Sequence, residues 1–122
     1  MENAKCPRVL IVDDDADIRD TLGELFRRHG FEVELACDGA DAIERLDQLR
    51  PAAMIVDLMM PGIIGEELID YLQSDDELAT IPVAIVSAVP QRAPAGYSVF
   101  RKPVPGRVLI DFVRAKSKAQ VT

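Results

Sequence analysis

Arg8-Val9-Leu10-Ile11-Val12-Asp13-Asp14-Asp15 is an apolar run that stops abruptly on three carboxylates. Three more runs are cut off in the same way. Ala53-Met54-Ile55-Val56 ends at Asp57, Pro82-Val83-Ala84-Ile85-Val86 at Ser87, and Tyr97-Ser98-Val99-Phe100-Arg101 at Lys102-Pro103. If these runs are parallel strands, their carboxyl ends bring three carboxylates, a hydroxyl and an ammonium to one rim. Open α/β sheets bind their ligands at that rim.

Between the runs the apolar spacing changes to that of helices. Ile18, Leu22, Leu25 and Phe26 share one face of a helix expected from about Asp15 to His29. Gly30 stands where a helix C-terminus takes positive φ. Phe31 to Cys37 alternates apolar and polar residues, as a strand at a sheet edge does. Asp38 is placed to cap a second helix, lined by Ala42, Ile43, Leu46 and Leu49 and closed by Pro51. A third helix, from about Gly65 to Ser74, buries Leu68, Ile69 and Leu72. A last helix starts near Pro105, buries Val108, Leu109, Phe112 and Val113, and ends on basic residues that suit its dipole.

Repeated strand–helix units imply a parallel sheet covered on both faces, with the nearly all-apolar runs at 8–13, 53–57 and 82–87 in its centre. One connection is too short. Ala88 to Gly96 is nine residues and holds Pro90 and Pro94, whereas a parallel crossover takes about a dozen or more. A loop or a single turn is expected there.

The chain has 122 residues, 48% of them hydrophobic, and a net charge of −7. One domain over 1–122 with a core at about 8–116 is expected. The acidic balance disfavours nucleic acid, and no apolar stretch approaches the ~20 residues of a membrane span. Cys6 and Cys37 make neither a disulfide framework nor a metal site, and the simplest location is cytoplasmic, with reduced thiols.

Three aspartates converging on one rim repel one another unless one is protonated or a divalent cation neutralises them. Hard oxygen donors favour Mg2+. A carboxylate can also act as a nucleophile and form an aspartyl-phosphate. Phosphoryl transfer asks the protein for a cation, a lysine and a hydroxyl donor. A lone Asp after a strand is commonly a turn residue or a helix cap; the joint pattern at successive strand ends is what points to chemistry.

Val9-Leu10-Ile11-Val12-Asp13-Asp14-Asp15, Val56-Asp57-Leu58-Met59-Met60-Pro61, Ser87-Ala88 and Lys102-Pro103 together resemble the receiver domain of bacterial two-component response regulators, from about Arg8 to Lys116. The resemblance implies a flavodoxin-like, doubly wound α/β fold with a five-stranded parallel sheet in the order 2-1-3-4-5. It implies Asp57 as phosphoacceptor, with Ser87 hydrogen-bonding the phosphoryl group and Lys102 pairing with Asp57 or a phosphoryl oxygen. For Mg2+ (or Mn2+) it implies Asp14 and Asp57 as carboxylates, Asp13 on metal-bound water, and the Met59 carbonyl. Asp15 is expected to cap the first helix. The implied partners are a sensor histidine kinase or a histidine phosphotransfer protein and a downstream protein target, with pairing to a second copy left open. Such a domain is no enzyme beyond its own phosphorylation and dephosphorylation. No output domain follows the last helix, so its output is expected to be a protein contact unless the chain is a fragment of a longer one. His29, beside Arg27 and Arg28, reads as a solvated cap and not as a relay histidine. One rival is a receiver-like scaffold that works without phosphorylation. The other is a metal-dependent phosphatase built on Asp13-Asp14-Asp15.

Several positions depart from the family pattern. The fourth helix, between the Ser and Lys strand ends, is expected to be absent or reduced to a turn. Val99 stands where an aromatic switch residue is usual; Tyr97 shares its face by alternation and Phe100 does not. Ile64 precedes Gly65 where an Asp is usual. Met59 and Val89 are apolar where side chains flank the path of a hydrolytic water, so slow loss of the phosphoryl group is expected.

Overall fold

The computed structural model describes residues 7–57, 64–88, 91, 93 and 96–121. Five strands, β1 (Arg8–Val12), β2 (Glu32–Ala36), β3 (Ala53–Asp57), β4 (Val83–Ser87) and β5 (Ser98–Arg101), pair in parallel in the order β2-β1-β3-β4-β5. Helices α1 (Ala16–Arg28), α2 (Gly39–Leu46), α3 (Ile64–Gln73), α4 (Asp76–Ala79) and α5 (Gly106–Val121) connect and follow them. The expected architecture and strand order are the observed ones. β1, β3 and β4 are central and almost wholly buried, while β2 and β5 form the edges.

Alternation along the strands divides the core into two layers. Leu10, Val12, Met54, Val56, Val83 and Ile85 pack with Leu46 of α2 and Leu68 and Leu72 of α3. Val9, Ile11, Ile55, Ala84 and Val86 pack with Phe26 of α1 and Leu109, Ile110 and Val113 of α5. Tyr97 and Val99 join the first layer and Phe100 the second, as alternation requires.

Local signals set the element ends. Asp15 accepts hydrogen bonds from the amides of Asp17 and Ile18 as the N-cap of α1, and Asp38 accepts one from Asp41 as the N-cap of α2. Gly30 takes φ +90 just past α1, where the Phe31 amide reaches back to the Phe26 carbonyl at 3.1 Å. His29 is the C-cap of α1 and is exposed.

Four sequence expectations change. Val108 is 38% exposed, and Ile110 is buried in its place. Both stripes of α5 have helical spacing, and docking on the sheet selects the one through Leu109, Ile110 and Val113. Phe112 is half-buried, edge-on to Phe100. Helix α2 stops at Leu46, short of Leu49. A four-residue α4 lies before β4, capped by Asp75, and is too short for periodicity to reveal. Between β4 and β5 the described residues hold no α-helix, as the short connection requires, and Ala93 packs on the same core layer as Tyr97 and Val99.

In urea unfolding, Leu109→Ala and Ile110→Ala should each lose about 2–5 kcal/mol. Val108→Ala should stay within about 0.5 kcal/mol of the parent chain. Equal losses at positions 108 and 110 would contradict this orientation of α5.

Candidate functional site

Strand register builds the rim. Val12 pairs with Val56, so Asp13 follows β1 at the level of Asp57, the last residue of β3. Ser87 ends β4 opposite Arg101, and the next amide, that of Lys102, donates to the Ser87 carbonyl at 2.9 Å. Lys102 also precedes a cis peptide bond to Pro103. Asp57 lies on the strand face that carries Ala53 and Ile55, and the same alternation sends Asp13 and Lys102 to that α1/α5 side.

Oxygen atoms of Asp13, Asp14 and Asp57 all lie within 4.8 Å of one another. Asp13 and Asp57 are each 5% exposed and Ser87 2%, whereas Asp14 is open to solvent. The Lys102 Nζ donates to Asp57 Oδ2 at 2.7 Å. Asp15 is absent from the cluster because its carboxylate caps α1. Asp13 Oδ1 accepts from the Asp15 amide at 2.9 Å, which orients the carboxylate within the turn.

Electrostatics follow from this crowding. Burial pushes the Asp13 carboxyl up, and the charges of Asp57 and Asp14 push it further; the Asp15 amide and the Lys102 ammonium work against the rise. Negative charge on the rim therefore exceeds what one lysine neutralises. Three hard oxygen donors in that state fit a divalent cation such as Mg2+. The structure brings Asp13, Asp14, Asp57 and Lys102 together and sets Ser87 at the end of the neighbouring strand. Met59 and Val89 lie outside the described residues, as does the side chain of Ile64.

A cleft of about 670 Å³ runs from this rim between α1 and α5. Ile18, Leu22 and Leu25 line it from one side and Val104 and Leu109 from the other, with Asp13, Asp57 and Lys102 at its head. Ile18 belongs to the apolar face of α1 yet is 43% exposed. The cause is that α5 does not close over the start of α1. Sequence reasoning passes over Arg19, whose Nη1 donates to the Asp13 carbonyl at 2.8 Å. Its one signal was a cation near a helix N-terminus, where the dipole disfavours positive charge.

Residues 9–98 match the family model described as the response regulator receiver domain. The transcriptional regulatory protein PrrA of Mycobacterium leprae is 40% identical over 82 residues, covering 67% of this chain and 34% of PrrA. The response regulator MprA of Mycobacterium ulcerans is 37% identical over 81 residues, covering 66% of this chain and 34% of MprA. The chain thus spans about a third of the length of these relatives. Among solved structures, the signal receiver domain of a signal transduction histidine kinase from Syntrophus aciditrophicus superposes with a TM-score of 0.83 at 26% identity, covering 93% of this chain and 92% of that one. A sensor protein from Polaromonas does so with 0.81 at 29% identity, covering 93% and 97%.

Because its pKa is raised, native Asp13 holds its proton more tightly than the unfolded chain does. The stability it lends is complete below the ordinary value of 3.8 and is lost as pH rises through the native pKa. Asp13→Asn, which keeps the acceptor for the Asp15 amide, should therefore make the metal-free protein more stable at pH 7. The gain should shrink as the pH is lowered toward 3.8. Urea titrations in chelator across that range would show it; an Asn variant less stable at pH 7 would contradict the charge crowding.

Proposed function

The chain belongs to the response regulator receiver family, and from that premise we propose that Asp57 accepts a phosphoryl group from a sensor histidine kinase or a histidine phosphotransfer protein. A cytoplasmic, Mg2+-dependent (or Mn2+-dependent) phosphoacceptor that signals through protein contact is the reading the site supports best. The observation that carries it is the Lys102 ammonium 2.7 Å from Asp57 Oδ2, beside two further carboxylates. A solitary acid–lysine pair would serve structure. A pair flanked by surplus acid retains a reactive carboxylate and a cation-binding rim.

In this reading an Asp57 carboxylate oxygen attacks phosphorus in line with the bond to the donor imidazole. The P–N bond breaks, and its electron pair leaves on the ring nitrogen. Asp14 and Asp57, with Asp13 on its water shell, would hold the divalent cation, which supplies charge neutralisation at the phosphoryl oxygens. Lys102 is already within hydrogen-bond reach of Asp57, so its ammonium follows the charge from carboxylate to phosphoryl oxygen with little movement. Ser87, 2% exposed at the end of β4, would offer its hydroxyl as a second donor to that group. Burial of Asp57 limits water around the acyl phosphate. Neither Met59 nor Val89 offers a polar side chain to orient a hydrolytic water, so the phosphoryl group is retained for minutes or longer.

Incubation with acetyl phosphate and Mg2+ should add one phosphoryl mass of about 80 Da. Chelator should abolish the gain, as should Asp57→Ala. No adduct, or one that survives Asp57→Ala, would overturn the proposal in favour of a phosphorylation-independent scaffold. A half-life of seconds in the absence of a phosphatase would refute slow release.

A further inference from the structure

We propose that Arg19 is a positioning residue for the cation-binding carboxylates, an inference that rests on the reading of the site given above. Arg19 enters the Asp13–Asp15 turn at both ends. Its amide donates to the Asp15 carbonyl at 2.9 Å, the first helical bond of α1. Its side-chain Nη1 donates to the Asp13 carbonyl at 2.8 Å. With the bond from the Asp15 amide to Asp13 Oδ1, these contacts close a frame around Asp14. Among the described residues nothing hydrogen-bonds the exposed Asp14 carboxylate, so its placement follows from its backbone alone, and the frame sets that backbone.

The geometry explains an otherwise unfavourable residue. Arg19 is the fourth helical residue after the Asp15 cap, near the end where the dipole opposes a cation. Side chains on a helix lean toward its N-terminus, which carries the half-buried Arg19 back over the turn and onto the carbonyl. A donor with full charge makes the stronger kind of hydrogen bond. It also holds the peptide joining Asp13 to Asp14 in one orientation.

Charge and positioning predict opposite signs. Removing a cation near a cation site should tighten metal binding if electrostatics dominates. Loosening the turn should weaken it, because groups that orient metal ligands typically contribute about 10–100-fold in affinity. The test is Mn2+ binding, read from the paramagnetic resonance of free Mn2+, for the parent chain, Arg19→Met and Arg19→Lys. Arg19→Met keeps the aliphatic stem and loses the donors, and it should raise the Mn2+ Kd by about tenfold or more. Arg19→Lys retains a charged donor and should recover most of the affinity. Should Arg19→Met lose its helical circular dichroism, Arg19→Gln, too short to reach the carbonyl, serves as the removal and should show the same loss. A removal variant that folds and binds Mn2+ as tightly as the parent, or tighter, overturns the proposal. A parent chain that fails to bind Mn2+ defeats the reading of the site itself, and this inference with it.

Discussion

Asp13, Asp14 and Asp57 bring carboxylate oxygens within 4.8 Å of one another, two of the three side chains lie buried, and Lys102 supplies the ammonium set against them. Carboxylates released from the fold would move apart, so this charge density exists because something stiffer than side chains enforces it. The enforcing element is the parallel sheet. Its register levels the end of β1 with the end of β3 and carries the Lys102 amide onto the Ser87 carbonyl. Two apolar layers, one under α2 and α3 and the other under α1 and α5, hold that register. A shift of one residue in β1 or β3 would turn the acid at its end to the other face.

The same arrangement leaves the domain asymmetric. The face under α2 and α3 is closed by Leu46, Leu68 and Leu72, all essentially inaccessible to solvent. The face between α1 and α5 opens into an apolar cleft whose head is the acid cluster itself. Across the sheet, the β4–β5 connection is short, and Ala93, Tyr97 and Val99 pack on the layer that a longer crossover would cover with a helix. The acid cluster at the rim is therefore held by a complete core, while the face between α1 and α5 beside it stays open as a cleft.

Signals that act within a few residues were legible. Asp15 and Asp38 cap their helices, Gly30 takes positive φ, β3 and β4 end at the polar residues that cut off their apolar runs, and β1 and β5 end one residue before theirs. Such features depend on backbone groups next in the chain, so the sequence carries them directly. Features that depend on docking were not. Val108 and Ile110 are interchangeable by spacing, and only the angle at which α5 meets the sheet chooses between them. Ile18 looks like a core residue until the gap between α1 and α5 is known. Helix α4 is a single turn, below the length at which a period exists.

The candidate site divides along the same line. Its residue types and their order at strand ends were determined by the sequence alone, because parallel strands joined by helices must all end on one edge. Tertiary structure alone decided that Lys102 meets Asp57 at 2.7 Å and that Arg19 reaches back to the Asp13 carbonyl. Those outcomes turn on distances of a few ångströms between groups up to 45 residues apart. Such distances are set by register and by the seating of α1, which no local pattern encodes.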